Sequence, residues 1–359
     1  MRRIEMAKPI LARDEFRAVK KVMKSGNLTQ GPVVSQFETE FSKLVGGREC
    51  VAVNSGTSAL LVALMSLGIG KDDEVIVPSF TFAATANSVM LTGARPVFVD
   101  IDPKTFNLDV KKIEAAISKK TRMILVVHLY GLPADMAQIA DIAQKYGLLV
   151  VEDAAQAHLA QIDEHSVGTF GDAAAFSFYP TKNMTSGEGG MVVTKNSAVA
   201  RTSRLLRNQG MEQRYKNEIV GFNFRMTDIH AAIGLVQLGQ IEKWTDKRIS
   251  NADFLSKNLI AVVTPHTPSS YRHVFHQYTI RVSTNRDDFC QRLELMGVGT
   301  GVYYPTPVHK LASFNVDAHL PETERACREV ISLPVHPALS RRDLNRIVSS
   351  VNKLSERLY

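Results

Sequence analysis

The chain has 359 residues, 45% of them apolar, which suffices for a large buried core and for either two domains or one large one. It contains no run of about 18 uninterrupted apolar residues, so no membrane span is expected, and the start, Met1 to Lys8, lacks the apolar stretch of a secretory signal. Lys and Arg outnumber Asp and Glu by 43 to 36, a net charge of +7, yet the basic residues are spread and none form a block interleaved with aromatics, which argues against a nucleic-acid partner.

Between Cys50 and Lys195, short apolar runs alternate with helix-period stretches. The runs predict strands at 51–54, 74–78, 96–99, 123–127, 148–152, 173–178 and 190–194, several rich enough in Val, Ile and Leu to be covered on both faces. Helices are predicted between them at 57–67, 82–91, 110–117 and 135–146. This strand–helix repetition implies a mostly parallel sheet with right-handed crossovers, an α/β fold whose large domain has three layers. One long helix is then predicted over 227–255. Beyond it, strands at 278–282 and 301–304 and helices at 286–296 and 341–357 suggest a smaller C-terminal α/β domain. The boundary is placed near residue 240, with 1–240 forming the large domain and 241–359 the small one.

In parallel sheets ligands gather beyond the carboxyl ends of the strands, where Asn54, Pro78 and Asp153 are predicted to fall. The turn Asn54-Ser-Gly-Thr-Ser58 joins a strand to a helix. Gly56 would let the backbone approach a ligand, and free amides at Thr57 and Ser58 would present the positive end of a helix to an anion; the other reading is a plain helix cap at Ser55 or Thr57. At the next such turn Phe82 is either core or a flat platform for a ring. Asp153 ends the run Val150-Val-Glu-Asp, either as a helix cap or as a carboxylate holding a pyridine nitrogen protonated, with Gln156 placed for the ring's phenolic oxygen.

Lys182 carries most weight. It lies in Ser177-Phe-Tyr-Pro-Thr-Lys-Asn183, ahead of Gly187-Glu-Gly-Gly190, in a setting too small, apolar and permissive for a solvated helix face. A desolvated primary amine there can form a Schiff base with an aldehyde cofactor, and Ser177 can hold a phosphate. Lysine and a pyridine-facing carboxylate together point to pyridoxal phosphate and to the transfer of amino groups. Other signals are weaker. Gly297-Val-Gly-Thr-Gly301 follows a predicted helix, the wrong context for a dinucleotide loop. His273 and His276 lack a third ligand, so no metal is expected. Cys50, Cys290 and Cys327 are scattered and suit a reducing cytoplasm.

Taken in order, these segments, together with Gly221-Phe-Asn-Phe-Arg-Met226 and Ser332-Leu-Pro-Val-His-Pro337, resemble the sugar aminotransferases of the DegT–DnrJ–StrS group, pyridoxal phosphate enzymes of fold type I built like aspartate aminotransferase. The resemblance implies that Lys182 bonds the cofactor, Asp153 pairs with its ring nitrogen, Gln156 with its ring oxygen, and Phe82 stacks on the ring, while Gly56, Thr57, Ser58 and Ser177 hold the phosphate. It further implies that Asn223 reaches the phosphate of a neighbouring subunit, making a homodimer with shared sites. Within Tyr303-Tyr-Pro-Thr-Pro-Val-His309, which resembles a segment near the sugar-nucleotide binding side, His309 is a substrate candidate; Glu188 is another. Some members of the group carry histidine in place of the lysine and dehydrate; Lys182 favours transamination. The implied reaction moves an amino group, with L-glutamate as donor, to a keto group on a nucleotide-linked sugar. Alternatives are a free keto-cyclitol or keto-sugar as acceptor, and a non-catalytic regulatory protein of the same fold.

Overall fold

The computed structural model describes residues 2–283 and 285–355. Two helices, α1 (Arg13–Ser25) and α2 (Pro32–Ser42), come first. The alternating series follows: β1 (Glu49–Val53), α3 (Gly56–Ser66), β2 (Glu74–Pro78), α4 (Ala83–Leu91), β3 (Arg95–Val99), α5 (Val110–Ile113), β4 (Thr121–Val127), α6 (Met136–Tyr146) and β5 (Leu149–Asp153). A short hairpin, β6 (Gln161–Ile162) and β7 (His165–Ser166), leads to β8 (Ala173–Ser177) and β9 (Gly190–Thr194).

β1, β9, β8, β5, β4, β2 and β3 lie side by side in that order. β9 runs antiparallel to both neighbours, and every other pairing in this sheet is parallel. The mostly parallel α/β sheet expected from the strand–helix alternation is therefore present. Strand periodicity sorts its residues between two faces. Val51, Val53, Val75, Val77, Met123, Leu125 and Val151 pack with Leu60, Val62 and Val89 of α3 and α4. On the other face Ile76, Ile124, Val126 and Val150 pack with Ile139 and Ala143 of α6, while Ala52, Phe176 and Met191 meet Phe37 and Phe41 of α2. Both faces are covered, which explains the near-continuous apolar runs.

After β9 come α7 (Ser197–Arg207), an exposed hairpin of β10 (Met211–Gln213) and β11 (Lys216–Asn217), α8 (Asp228–Leu238) and α9 (Ile241–Asn258). The single long helix expected over 227–255 is thus two. Gly239 and Gln240 part them, Thr227 caps α8 through the amide of His230, and α9 starts afresh. The chain ends with β12 (Tyr271–Arg272), β13 (Tyr278–Arg281), α10 (Arg286–Leu295), α11 (Pro321–Glu329), β14 (Val330–Leu333) and α12 (Arg341–Ser355). β13 pairs with β14 in antiparallel register from Tyr278–Leu333 to Arg281–Val330. The strand expected at 301–304 is absent; Gly301 makes only an isolated antiparallel bridge to Ser332 of β14, which also pairs with β13. Ala252, Leu255, Tyr278, Ile280, Phe289, Ile331, Leu344 and Ile347 form a separate apolar core here, which Ile4 also joins.

Candidate active site

A cavity of about 710 Å³ opens where the parallel strands end. Five successive segments line it: Ser55 to Thr57 after β1, Thr81 to Thr85 after β2, Val127 at the end of β4, Asp153 to Gln156 at the end of β5, and Ser177 to Lys182 from β8 onward. His276, Gln277, Tyr303 and Tyr304 close it from the C-terminal part of the chain. Among the described residues, Lys182 is the only lysine or arginine in this lining.

The turn after β1 serves as cap and as cradle at once. Ser55 caps α3, its Oγ accepting from the Ser58 amide at 3.1 Å, and the Ser58 hydroxyl donates to Asn54 Oδ1 at 2.7 Å. Ser58 therefore has both its amide and its hydroxyl engaged and does not line the cavity, contrary to its expected place in the phosphate cradle; Gly56 and Thr57 do line it. Gly56 is required for space: a methyl there would sit 2.7 Å from Ser177 Cβ and 3.0 Å from its Oγ. The glycine lets β8 bring Ser177 against the start of α3. One hydroxyl thus lies beside the N-terminus of an 11-residue helix at the cavity wall, the kind of place where an anion can be held.

Phe82 is 60% exposed, so it is not core. It stands at the start of α4 with its ring tilted 35° to that of Tyr304, centroids 6.0 Å apart. Asp153 is buried, with Thr85 Oγ1 donating to Oδ2 at 2.8 Å and the Ala155 amide to Oδ1 at 3.2 Å. No helix begins after it, so the helix-cap alternative falls away. Burial pushes its carboxyl pKa up, against the hydrogen bonds from Thr85 and Ala155 and the charge of Lys182. Gln156 is fixed by the Tyr130 amide, which donates to Oε1 at 2.7 Å, and its Nε2 donates to the Tyr304 hydroxyl at 3.1 Å.

Lys182 closes a tight turn, its amide donating to Tyr179 O at 2.9 Å. Burial pushes its amine down to about 8, with Asp153 opposing. An amine brought to within about one unit of physiological pH, so that a usable fraction is neutral, and a carboxyl in the same pocket are the arrangement nucleophilic and proton-transfer chemistry needs.

Glu188 is exposed and lines the rim. Asn223 is exposed and bridges to Asn208, outside its own chain's cavity. His309 is fully buried and does not reach the cavity, which corrects its sequence-based placement. Its Nδ1 lies 2.6 Å from Ser79 Oγ, its amide donates to the same oxygen at 3.1 Å, and its Nε2 lies 3.8 Å from Glu324. It pins the C-terminal segment to the end of β2, and the lining residues of that segment are Tyr303 and Tyr304 instead. Thr81, Thr85, Tyr179, Thr181 and Gln277 also line the cavity and are not singled out from sequence, while His276, weighed there only as a metal ligand, lines it too. Thr85 lies within the helix predicted over 82–91, where one hydroxyl carries no distinguishing signal.

The sequence model of the DegT/DnrJ/EryC1/StrS aminotransferase family matches residues 9–352. The chain belongs to this family of aminotransferases. Similar proteins include the UDP-N-acetyl-3-dehydro-alpha-D-glucosamine 3-aminotransferase of Acidithiobacillus ferrooxidans, 40% identical over 95% of this chain and 94% of that protein. A pleiotropic regulatory protein of Geobacillus stearothermophilus is 39% identical over 94% and 93%. Among solved structures, Streptomyces venezuelae DesV in complex with a ketimine intermediate superposes with a TM-score of 0.92 at 39% identity, covering 96% of this chain and 94% of that one. The whole aminotransferase fold is therefore shared with this family, and the cavity lies within the matched region.

Proposed function

We propose that this aminotransferase uses pyridoxal phosphate to move an amino group from L-glutamate to a keto group of a nucleotide-linked sugar. One observation carries the reading: an amine with a burial-lowered pKa, Lys182, shares a cavity with a buried, hydrogen-bonded carboxylate, Asp153. The residues present fit the cofactor. Gly56, Thr57 and Ser177 line the cavity side by side, where two helix-start amides and a hydroxyl suit a phosphate, and Asp153, Gln156 and Phe82 offer an acid, an amide and an aromatic face to a ring between them. The acceptor class rests on the named activity of the Acidithiobacillus relative.

When bound, pyridoxal phosphate supplies an aldehyde and an electron-withdrawing ring. Asp153 holds the proton on the ring nitrogen, Gln156 orients the phenolic oxygen, and Phe82 shields one ring face from water. Lys182 Nζ takes the proton from the α-carbon of the amino donor, and in the second half-reaction returns a proton to the sugar carbon that gains nitrogen.

Both substrates are anions, yet among the described residues Lys182 is the only lysine or arginine lining the cavity, and its amine is committed to chemistry. Positive charge must therefore come from beyond this lining. The exposed β10–β11 hairpin carries Arg214 and Lys216, and Asn223 follows it, so a second copy of the chain placing this region at the cavity would complete the site. We therefore assign a homodimer with shared sites.

Titration of the cofactor-loaded protein tests the function. L-glutamate should abolish its visible band, and a nucleotide-linked keto-sugar should restore it. A free keto-cyclitol restoring the band as well would shift the acceptor class. A band indifferent to every amino donor would favour a regulatory role like the one named for the Geobacillus relative.

A further inference from the structure

Asp153 reaches the cavity with a side-chain partner of its own. Thr85 Oγ1 donates to Oδ2 at 2.8 Å, and Thr81 Oγ1 lies 2.9 Å from Thr85 Oγ1. The order of donation is forced. An ionised carboxylate only accepts, so the single Thr85 hydroxyl hydrogen goes to Asp153, and Thr81 must donate to Thr85. Thr85 is completely buried and Thr81 is 3% exposed. A threonine inside a helix can turn its hydroxyl back to the carbonyl four residues earlier. Thr85, in the first turn of α4, turns it to a strand end 68 residues away in sequence.

We propose that Thr85, supported by Thr81, is a positioning residue that keeps Asp153 ionised and aimed at the cofactor's ring nitrogen. The inference deepens the proposed function and rests on it. Burial alone would drive the Asp153 carboxyl toward its neutral form, which cannot stabilise a cationic ring nitrogen. A charge-assisted hydrogen bond opposes that drift, and a donor that is itself hydrogen-bonded is the stronger for it. The relay has a second consequence. Phe82 caps the same helix whose first turn carries Thr85, so the bond that orients the carboxylate also ties down the element bearing the exposed ring.

The other titratable groups whose charge reaches Asp153 are Lys182, His128 and Tyr304. All stay in place when Thr85 is changed, so a shift on substitution reports the hydroxyl. The test uses full-length protein loaded with pyridoxal phosphate and compares the parent with Thr85→Val, which keeps the shape, and Thr85→Ser, which keeps the hydroxyl. Two quantities are read: the cofactor dissociation constant and the pH midpoint of the visible band. Thr85→Val should weaken cofactor binding about ten- to hundredfold, the worth of one hydrogen bond to a charged acceptor. It should also raise the midpoint by about one unit, because a less positive ring repels the neighbouring proton less. Thr85→Ser should restore both. Thr81→Val, one bond further out, should move both in the same direction by less, and it decides the question if Thr85→Val does not fold.

Parental constants in Thr85→Val would overturn the relay while leaving the cofactor assignment intact. Equal losses in Thr85→Val and Thr85→Ser would reduce Thr85 to packing. A parent protein with no visible band at saturating cofactor would sink the proposed function and the relay together.

Discussion

Replacing Gly56 by alanine adds one methyl group at the closest approach of two cavity walls. The added Cβ would lie 2.7 Å from Ser177 Cβ, 3.0 Å from its Oγ and 3.3 Å from its Cα, whereas carbons at rest sit about 3.5–4.0 Å apart. Close to 1 Å must be absorbed. The strand cannot give it, because β8 is laddered to β5 on one side and β9 on the other. β9 is itself packed hard on the turn, since a Cβ on Gly190 would lie 2.3 Å from Ser55 O. The turn must therefore move, and with it the amides of Gly56 and Thr57. Overpacking of this kind costs roughly 1–3 kcal/mol, or about five- to 150-fold in an equilibrium constant. Because the displaced groups are the proposed phosphate cradle, cofactor affinity should fall within that range. Titrating apoprotein with pyridoxal phosphate measures it, and the cofactor-induced rise in melting temperature should shrink in parallel. Adding Ser177→Gly should relieve the clash and restore stability without restoring affinity, since it removes the proposed phosphate hydroxyl. A Gly56→Ala protein that binds cofactor within about twofold of the parent would refute the cradle.

Glu152→Gln should destabilise the fold by about 3–5 kcal/mol, read as a fall in melting temperature. Its two oxygens accept from the amides of Phe170, Gly171 and Gly168 and face His128 Nε2 at 3.0 Å, a set an amide group cannot match. Burial opposes its ionisation, but His128 and those amides outweigh it and hold the carboxyl below its usual range. Its stabilisation is therefore complete above the unfolded value near 4.3 and is lost as pH falls through the lower folded one; acid unfolding of Glu152→Gln should be correspondingly less steep. Capture of pyridoxal phosphate by apoprotein needs the neutral amine of Lys182, so its rate should fall about tenfold per unit below pH 8, as stopped-flow absorbance would show; a flat profile from pH 6 to about 9 would contradict it. Inactive Lys182→Ala and Asn223→Ala proteins, unfolded and refolded together in equal amounts, should regain about a quarter of parental activity if Asn223 serves the partner's site, because half the dimers are mixed and each has one intact site. Recovery of nothing would place Asn223 in its own chain's site, and an Asn223→Ala protein that is active by itself would place it outside the reaction.

The adjacent acids Glu152 and Asp153 show how far sequence carries the reading and where it stops. Apolar runs and helix-period stretches located the strands of the main sheet to within a residue or two at most ends, because both faces of that sheet are buried and the pattern has nothing to interrupt it. The pair was visible at a strand end, but strand parity alone sends Asp153 toward the face shared with Val151 and Glu152 toward His128. Which of those faces meets a cavity depends on α3 and α4 leaving room at their N-termini, a fact of packing. The same limit explains Ser58 and His309. Their residue types suited a site, but local hydrogen bonds to Ser55 and Asn54, and to Ser79, had already engaged their polar atoms. It explains why no helix is expected over α1, whose few buried positions include Glu15, bound to the Ala12 amide and to Gln237 rather than packed in an apolar stripe. Hydrophobic period reports what must leave water; it is silent on which polar groups find partners across the fold. Thr85 is the extreme case, since its hydroxyl acquires meaning only when the end of β5 stands 2.8 Å away.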